Sequence, residues 1–366
     1  MASALVATTA SFFSLRTNND CLGYSSGQEP ALTLASCNDA RFKRRAFFLF
    51  LLAVKKVFKH FLAGSLACAS VAQASNFLGP LTWRDSTFDY RTEDPEYIKS
   101  EISVPKLATT VGVAATAYAA AYGFIFAKGW WDEEEEGFHF ENDFDYAKNI
   151  DKLGHFSAGV LIGEIFYEGY RWSGLSEFKS YLFAGLTAMS THIAIDVKDG
   201  FAPEWGFSIF DVLAGSIGGF LPMAERYVPV FKYIDLKWSY WINSKVYYEN
   251  TDTGIFTDDY PNHTYWCSFK VNRMLPASIR DYYPDWLAIA AGVSVDDVIF
   301  HKGMGKHPKG GSYEIYIALD YDLEALRPQS RWARTLVKYL NYIKLPAPTL
   351  QVYPDVKFHW LYPIKF

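Results

Sequence analysis

Three apolar segments of helical length follow one another between residues 151 and 227, and they constrain the fold more than any other feature of the chain. Residues 151–170 read as one helix. Trp172-Ser-Gly-Leu-Ser176 is a turn that places Ser176 as the cap of a second helix over 177–197. Residues 199–206 carry Gly, Pro and Gly and read as a loop. A third helix over 208–227 stops before Pro229, and Pro222 inside it marks a kink or an early end. Ala214, Gly215, Ser216, Gly218 and Gly219 give that helix a small-residue face, which permits close helix–helix approach.

From about residue 232 the pattern changes. Residues 265–271 and 286–295 alternate or run apolar with β-forming residues, and 313–321 (Y-E-I-Y-I-A-L-D-Y) has strand character. A Gly/Lys/His loop lies at 303–311, and a short basic helix at 331–343 is broken by Pro346-Ala-Pro348. At the end, Phe358, Trp360, Tyr362, Ile364 and Phe366 alternate with Lys357, His359, Leu361, Pro363 and Lys365. A period of two is a strand signal. The alternation resembles the terminal strand of bacterial outer-membrane barrels. Pro363 and the lack of eight or more even strands speak against a spanning barrel, so an edge strand on a small periplasmic sheet is expected. The expected fold class is α+β: a hydrophobic helical bundle followed by a smaller antiparallel β-containing C-terminal part.

Composition sets the surroundings. Of 366 residues half are hydrophobic, 18% are aromatic and 20% are charged, which excludes a disordered chain and leaves apolar surface to spare. The net charge of −5 and the lack of a dense Lys/Arg stripe argue against nucleic acid. No P-loop, Rossmann glycine pattern or G-x-S-x-G elbow occurs, so no nucleotide and no cofactor are assigned. The basic, Gly-rich run 302–311 reads as a surface hairpin. The apolar surplus points to a membrane or lipid, or to a protein of the cell envelope, as partner.

The first 130 residues are read in three parts. Residues 1–53 are Ser/Thr/Ala-rich and aperiodic, and read as an over-extended start or a leader. Residues 54–74 place Lys55, Lys56 and Lys59 before an apolar run and Val71-Ala-Gln-Ala74, the order of a secretory signal peptide. Residues 75–129 form a lead-in and an apolar helix. Residues 107–127 carry no charge, so the segment reads either as a membrane span or as a buried helix. Cys21, Cys37, Cys68 and Cys267 make no disulfide framework, and Ser65-Leu-Ala-Cys68 is a poor lipobox. Residues 130–230 are the helical core and 231–366 the β-containing part. Export to the cell envelope, in the periplasm or the outer membrane, is expected.

Polar residues inside the apolar block are the chemical candidates. Asp151 and His155 are four apart on one helix face, and His192, Asp196 and Asp199 follow at i, i+4 and i+7. Asp211 opens the third helix. Carboxylates and imidazoles among apolar helices can form an acid/base pair, hold a metal or lock the helices. Each also has a plain reading. Asp151 can cap its helix, Ser208-x-x-Asp211 resembles a capping box, and Asp199-Gly200 can be a turn. No H-E-x-x-H or paired-His spacing occurs, so no metal site is assigned.

The order Asp151-Lys-Leu-Gly-His-Phe156, Asp199-Gly-Phe201, Glu204-Trp-Gly-Phe-Ser208 and Asp211-Val-Leu-Ala214 resembles the family of predicted periplasmic lipoproteins that includes the YfiM proteins. A weaker likeness reaches the VanZ-like membrane proteins. Longer members are similar downstream at Tyr260-Pro-Asn-His-Thr-Tyr-Trp266, Pro284-Asp-Trp-Leu287, Ile317-Ala-Leu-Asp320 and Leu345-Pro-Ala-Pro-Thr-Leu350. The resemblance implies an envelope location but no reaction. Lys152 and Trp205, within these motifs, and His192, on the helix face shared with Asp196 and Asp199, are the binding candidates. Two positions depart from the pattern: Gly215 stands where Asn is usual, and Asp196 where Glu is common.

Two functions follow from the sequence. The first is a non-enzymatic envelope component that binds a lipid or a partner, with Asp151, His155, Asp196, Asp199 and Asp211 as a structural network. The second is a membrane-associated hydrolase that uses the same residues on a lipid or cell-wall precursor.

Overall fold

The computed structural model describes residues 101–123, 131, 134–250, 255–300, 310–326, 328 and 330–365. The leader and signal readings of residues 1–74, residues 75–100 of the lead-in and the hairpin at 302–309 lie outside them. The described chain is α+β. Helices α1 (Val104–Ala121), α2 (Ile150–Trp172), α3 (Glu177–Asp199) and α4 (Ile209–Tyr227) precede six strands. These are β1 (Ile234–Tyr240), β2 (His263–Phe269), β3 (Leu287–Val295), β4 (Tyr313–Tyr321), β5 (Ala347–Tyr353) and β6 (Lys357–Tyr362), with helix α5 (Arg331–Leu340) before β5.

Helices α2, α3 and α4 pack against one another as the apolar runs require. The small-residue face of α4 is used as expected. A methyl group on Gly218 would run into the carbonyl of Phe156, and one on Gly159 into the carbonyl of Gly215, so α2 and α4 meet backbone to backbone. Helix α4 does not stop at Pro222 but continues to Tyr227. Ser176 stands at the N-cap of α3 with extended backbone, yet its side chain makes no capping bond.

The bundle interior is polar where an ordinary core is not. Glu164, Arg171, His192, Asp196, Asp211 and Glu225 are all buried, whereas Leu161, Ile165, Phe183 and Ile217 face outward. Glu164 accepts from Tyr342 Oη at 2.9 Å and pairs with Lys338 of α5, which ties the bundle to the C-terminal part.

Helix α1 corrects one half of the reading of 107–127. It is not a buried helix: only Thr110 is buried, where its hydroxyl donates to the carbonyl of Gly169 at 3.1 Å. Among the described residues no helix is long and apolar enough to cross a membrane. In the acidic run after it Glu134, Glu135 and Glu136 are exposed.

The six strands form one antiparallel meander in the order β1-β2-β3-β4-β5-β6. Its two edges approach each other. Ile343 bridges the free edge of β1 at Trp238, with Trp238 N–H donating to Tyr342 and Lys344 N–H to Trp238. Asn243, just past β1, bonds Pro363 and Lys365, just past β6. Across the enclosed space Thr264 of β2 and Tyr362 of β6 share a hydroxyl bond of 2.7 Å.

The expected alternation of β6 fails at its end. A register shift between Ala347 and Thr349 bulges the strand, so Phe358 and Trp360 point out while Tyr362 turns in and is buried. Pro363 lies beyond the strand, where its missing N–H costs no ladder bond.

Candidate active site

The loop 139–146, the first turns of α2, the 199–206 loop, the start of α4 and the turn at 258–260 enclose a pocket of about 440 Å³. Asp151, His155, Asp199, Trp205 and Asp211 all line it. Five of the residues singled out in the sequence therefore converge, from three helices and the loop between two of them.

Asp151 does not cap its helix; Asn149 holds that position, and the Asp151 carboxyl is free to enter the cluster. Lys152 sits at its centre. Its ammonium lies 2.7 Å from Asp151 Oδ2, 2.7 Å from Asp211 Oδ1 and in contact with Asp143. His155 Nε2 lies 3.6 Å from Asp151 Oδ1 and 3.7 Å from Asp211 Oδ1. Tyr260 donates its hydroxyl to Asp151 Oδ1 at 3.1 Å. Ser208 donates to Asp143 at 2.5 Å and receives the backbone N–H of Asp211 at 3.1 Å.

The capping box is only half made. Ser208 caps α4, but the Ser208 N–H goes to Asp196 Oδ1 at 3.2 Å rather than to Asp211. Asp196 thereby leaves the list of ligand-facing residues: it is fully buried behind the pocket and positions the start of α4. His192 is corrected likewise. It is buried with Nδ1 bonded to the carbonyl of Ala188 at 2.9 Å and is not among the residues that line the pocket. Its ring fills the space that a side chain at position 215 would take, which gives the Gly215 departure a steric reason.

Charge and burial separate the carboxyls. Burial and the charge of Asp151 push Asp211 up to about 10, against the pull of Lys152. Burial would raise Asp151 too, but His155 and Lys152 outweigh it and hold Asp151 below the usual carboxylate value. Burial also lowers His155, despite Asp151 beside it. Asp199, buried and bonded by Trp131 Nε1 at 2.6 Å, is raised to about 7. The surroundings thus push the two carboxyls apart, Asp151 toward the ionised form and Asp211 toward the protonated one.

Asp151, His155 and Asp211 offer ligand atoms within 4.8 Å of one another, a spacing that could hold a metal ion. The Lys152 ammonium already supplies the positive charge to both carboxyls. The rest of the lining is acidic and aromatic. Glu141, Asp143, Asp199, Glu204 and Asp258 join Asp151 and Asp211, with Phe144, Tyr146, Trp205 and Tyr260 as flat apolar walls. Tyr146 and Trp205 meet edge to face, 6.2 Å between centroids. Sequence reasoning missed Asp143, His139 and Asp258, which lie in loops without periodicity; Tyr260 stood within a resembling motif but carried no assigned role.

No family model matches the chain, and neither does a curated protein or a solved structure.

Proposed function

We propose that this is a cell-envelope hydrolase that works by acid–base catalysis in the pocket of Asp151, His155 and Asp211. One observation carries the reading: in one open pocket Asp151 and Asp211 share the Lys152 ammonium at 2.7 Å each, with the His155 imidazole within 4 Å of both, and their surroundings push the two carboxyls in opposite directions. Environments that split two carboxyls in this way assign the acid and the base. Asp211 donates the proton to a leaving group. His155 accepts the one proton of the attacking water, and the Asp151 carboxylate beside it stabilises the imidazolium that forms. Lys152 and Tyr260 orient Asp151.

The lining bears on the substrate. Seven acidic side chains line the pocket, and those that are ionised repel a phosphate or carboxylate group, while acidic groups between aromatic walls suit a neutral, hydroxyl-rich ligand. The glycan part of cell-wall material has that chemistry. The residues that resemble the YfiM family, D-K-x-G-H, W-G-x-S and the following Asp, are the ones that meet at this pocket.

The test is incubation of the purified full chain with isolated cell-wall sacculi, read as released reducing ends. Asp211→Asn and Asp151→Asn should each lower the rate by about 10²–10⁴-fold while leaving thermal unfolding cooperative. Release that is absent from the wild type, or unchanged from the wild type in either variant, contradicts the reading.

A second reading is non-catalytic binding of an envelope ligand or partner. The clamp of Lys152 on Asp143, Asp151 and Asp211 favours it, because the same ion pairs lock the helices without any reaction. Glycan binding without turnover would select it.

A further inference from the structure

The sheet is built inside out. Its register sets Leu236, Cys267, Ala291, Ile317, Leu350 and Phe358 side by side across all six strands. A second row on the same face runs Ile234, Phe269, Ile289 and Leu319. Neither row contains a charged side chain. On β3 to β6 this face is open: Ile317 is 50%, Phe358 54% and Trp360 72% exposed.

The opposite face, turned into the curl of the sheet, carries the charges. Lys237 pairs with Asp320 at 2.9 Å, both side chains 1% exposed, and Lys344 reaches the same carboxylate at 3.6 Å. Lys270 pairs with Asp235 at 2.8 Å and with Glu324 at 2.9 Å. A water-soluble sheet puts its apolar face on the core and its charges outside. On β3 to β6 the outward half of that rule is reversed, as it is in the wall of a membrane barrel, while the inward face holds the ion pairs beside a buried cluster of Trp266, Ala290, Tyr316, Ala318 and Tyr362.

Aromatic rings border the apolar rows at both ends. Tyr313 and Tyr353 stand at one end of the β3–β5 wall, and Trp286 stacks on Tyr321 at the other, 6.1 Å between centroids. Strand β4, Tyr313–Tyr321, has 9 residues, the short end of the about 9–11 that a tilted membrane strand uses. Aromatic belts of this kind mark the two levels of a bilayer interface. The edges are partly covered: Trp238 of β1 is bridged by Ile343, and Asn243 past β1 bonds the chain past β6.

We propose that the outer face of β3 to β6 contacts the hydrocarbon of a lipid bilayer, with the two aromatic borders at its interfaces. A protein partner is the poorer occupant. Protein interfaces carry about one hydrogen bond per 100–200 Å², whereas these rows offer no side-chain donor or acceptor stronger than a thiol. The assignment is independent of the pocket chemistry.

The experiment is flotation of the full chain with vesicles of neutral phosphatidylcholine, which excludes charge attraction. The wild type should float, and Ile317→Glu with Leu350→Glu should reduce the floated fraction at least tenfold. A second measurement guards against misfolding. In a background with the native cysteines replaced, a fluorophore at Ile317→Cys or Phe358→Cys should be quenched by chain-brominated lipid several-fold more than one at Asp355→Cys. Failure of the wild type to float, equal quenching at all three positions, or a lipid-free dimer that protects Ile317→Cys from labelling would overturn the proposal.

Discussion

Asp196 Oδ1 accepts the backbone N–H of Ser208 at 3.2 Å, and so leaves the Asp211 carboxyl free for the pocket. The second helix thus performs the capping that the Ser208-x-x-Asp211 spacing assigns to the third. Removing the acceptor with Asp196→Ala leaves a buried N–H unpaired. It should cost about 1–3 kcal/mol in urea unfolding, and Asp196→Asn, which keeps an acceptor, should cost less.

The same residue sets a pH dependence. Burial and the charge of Asp199 raise Asp196 to about 9, so the folded chain keeps a proton that the unfolded chain has lost above about pH 4. That stability is complete at acid pH and disappears as pH rises through the folded value. From pH 6.5 to 8 the wild type should therefore lose stability more steeply than Asp196→Asn, by up to about 1.4 kcal/mol per pH unit. Equal slopes in the two proteins would contradict the raised value. The window lies above the histidines: burial lowers His155, and takes His192 to about 4, so their opposite contribution is lost only on acidification below 6.5.

Lys152 is the cation of the cluster. Lys152→Met should leave Asp143, Asp151 and Asp211 facing one another and destabilise by about 3–5 kcal/mol. The loss should be smaller at pH 5 than at pH 8, because protonation relieves the repulsion, and the double variant Lys152→Met with Asp151→Asn should recover part of it. Thermal unfolding at the two pH values measures all three quantities.

Close packing of α2 on α4 gives a steric prediction. Gly218→Ala meets the Phe156 carbonyl and should cost about 3 kcal/mol. Gly112→Ala on α1 has nothing within 4 Å and should be neutral or stabilising by up to about 1 kcal/mol. Similar losses at both positions would mean that the helices do not approach as described.

The three bundle helices were legible because apolar runs, Gly-Pro breaks and Ser caps agree along 151–227. Strands β1 and β5 were not. In β1 the inward positions are Asp235, Lys237 and Ser239, so its alternation has the polarity of a surface strand while the strand itself is central to the ion pairs. In β5 the prolines at 346 and 348 disguise a paired strand. At the site, helical spacing grouped Asp151 with His155 but also grouped His192 and Asp196 with Asp199. Spacing gives a shared face, and only the packing of α4 on α3 shows that the first two lie behind the pocket. Asp143 had no such signal, since its position follows from the left-handed backbone at Asp145 and 147–149 that folds its loop over α2.

The opposed protonation of Asp151 and Asp211 is the centre of the account. Infrared difference spectroscopy at pH 7 measures it directly, by comparing the carbonyl band of protonated carboxyls in the wild type with that in Asp211→Asn and Asp151→Asn. The account predicts that Asp211→Asn removes one protonated carboxyl and that Asp151→Asn removes one ionised carboxylate instead. An unchanged protonated-carboxyl band in Asp211→Asn would contradict it.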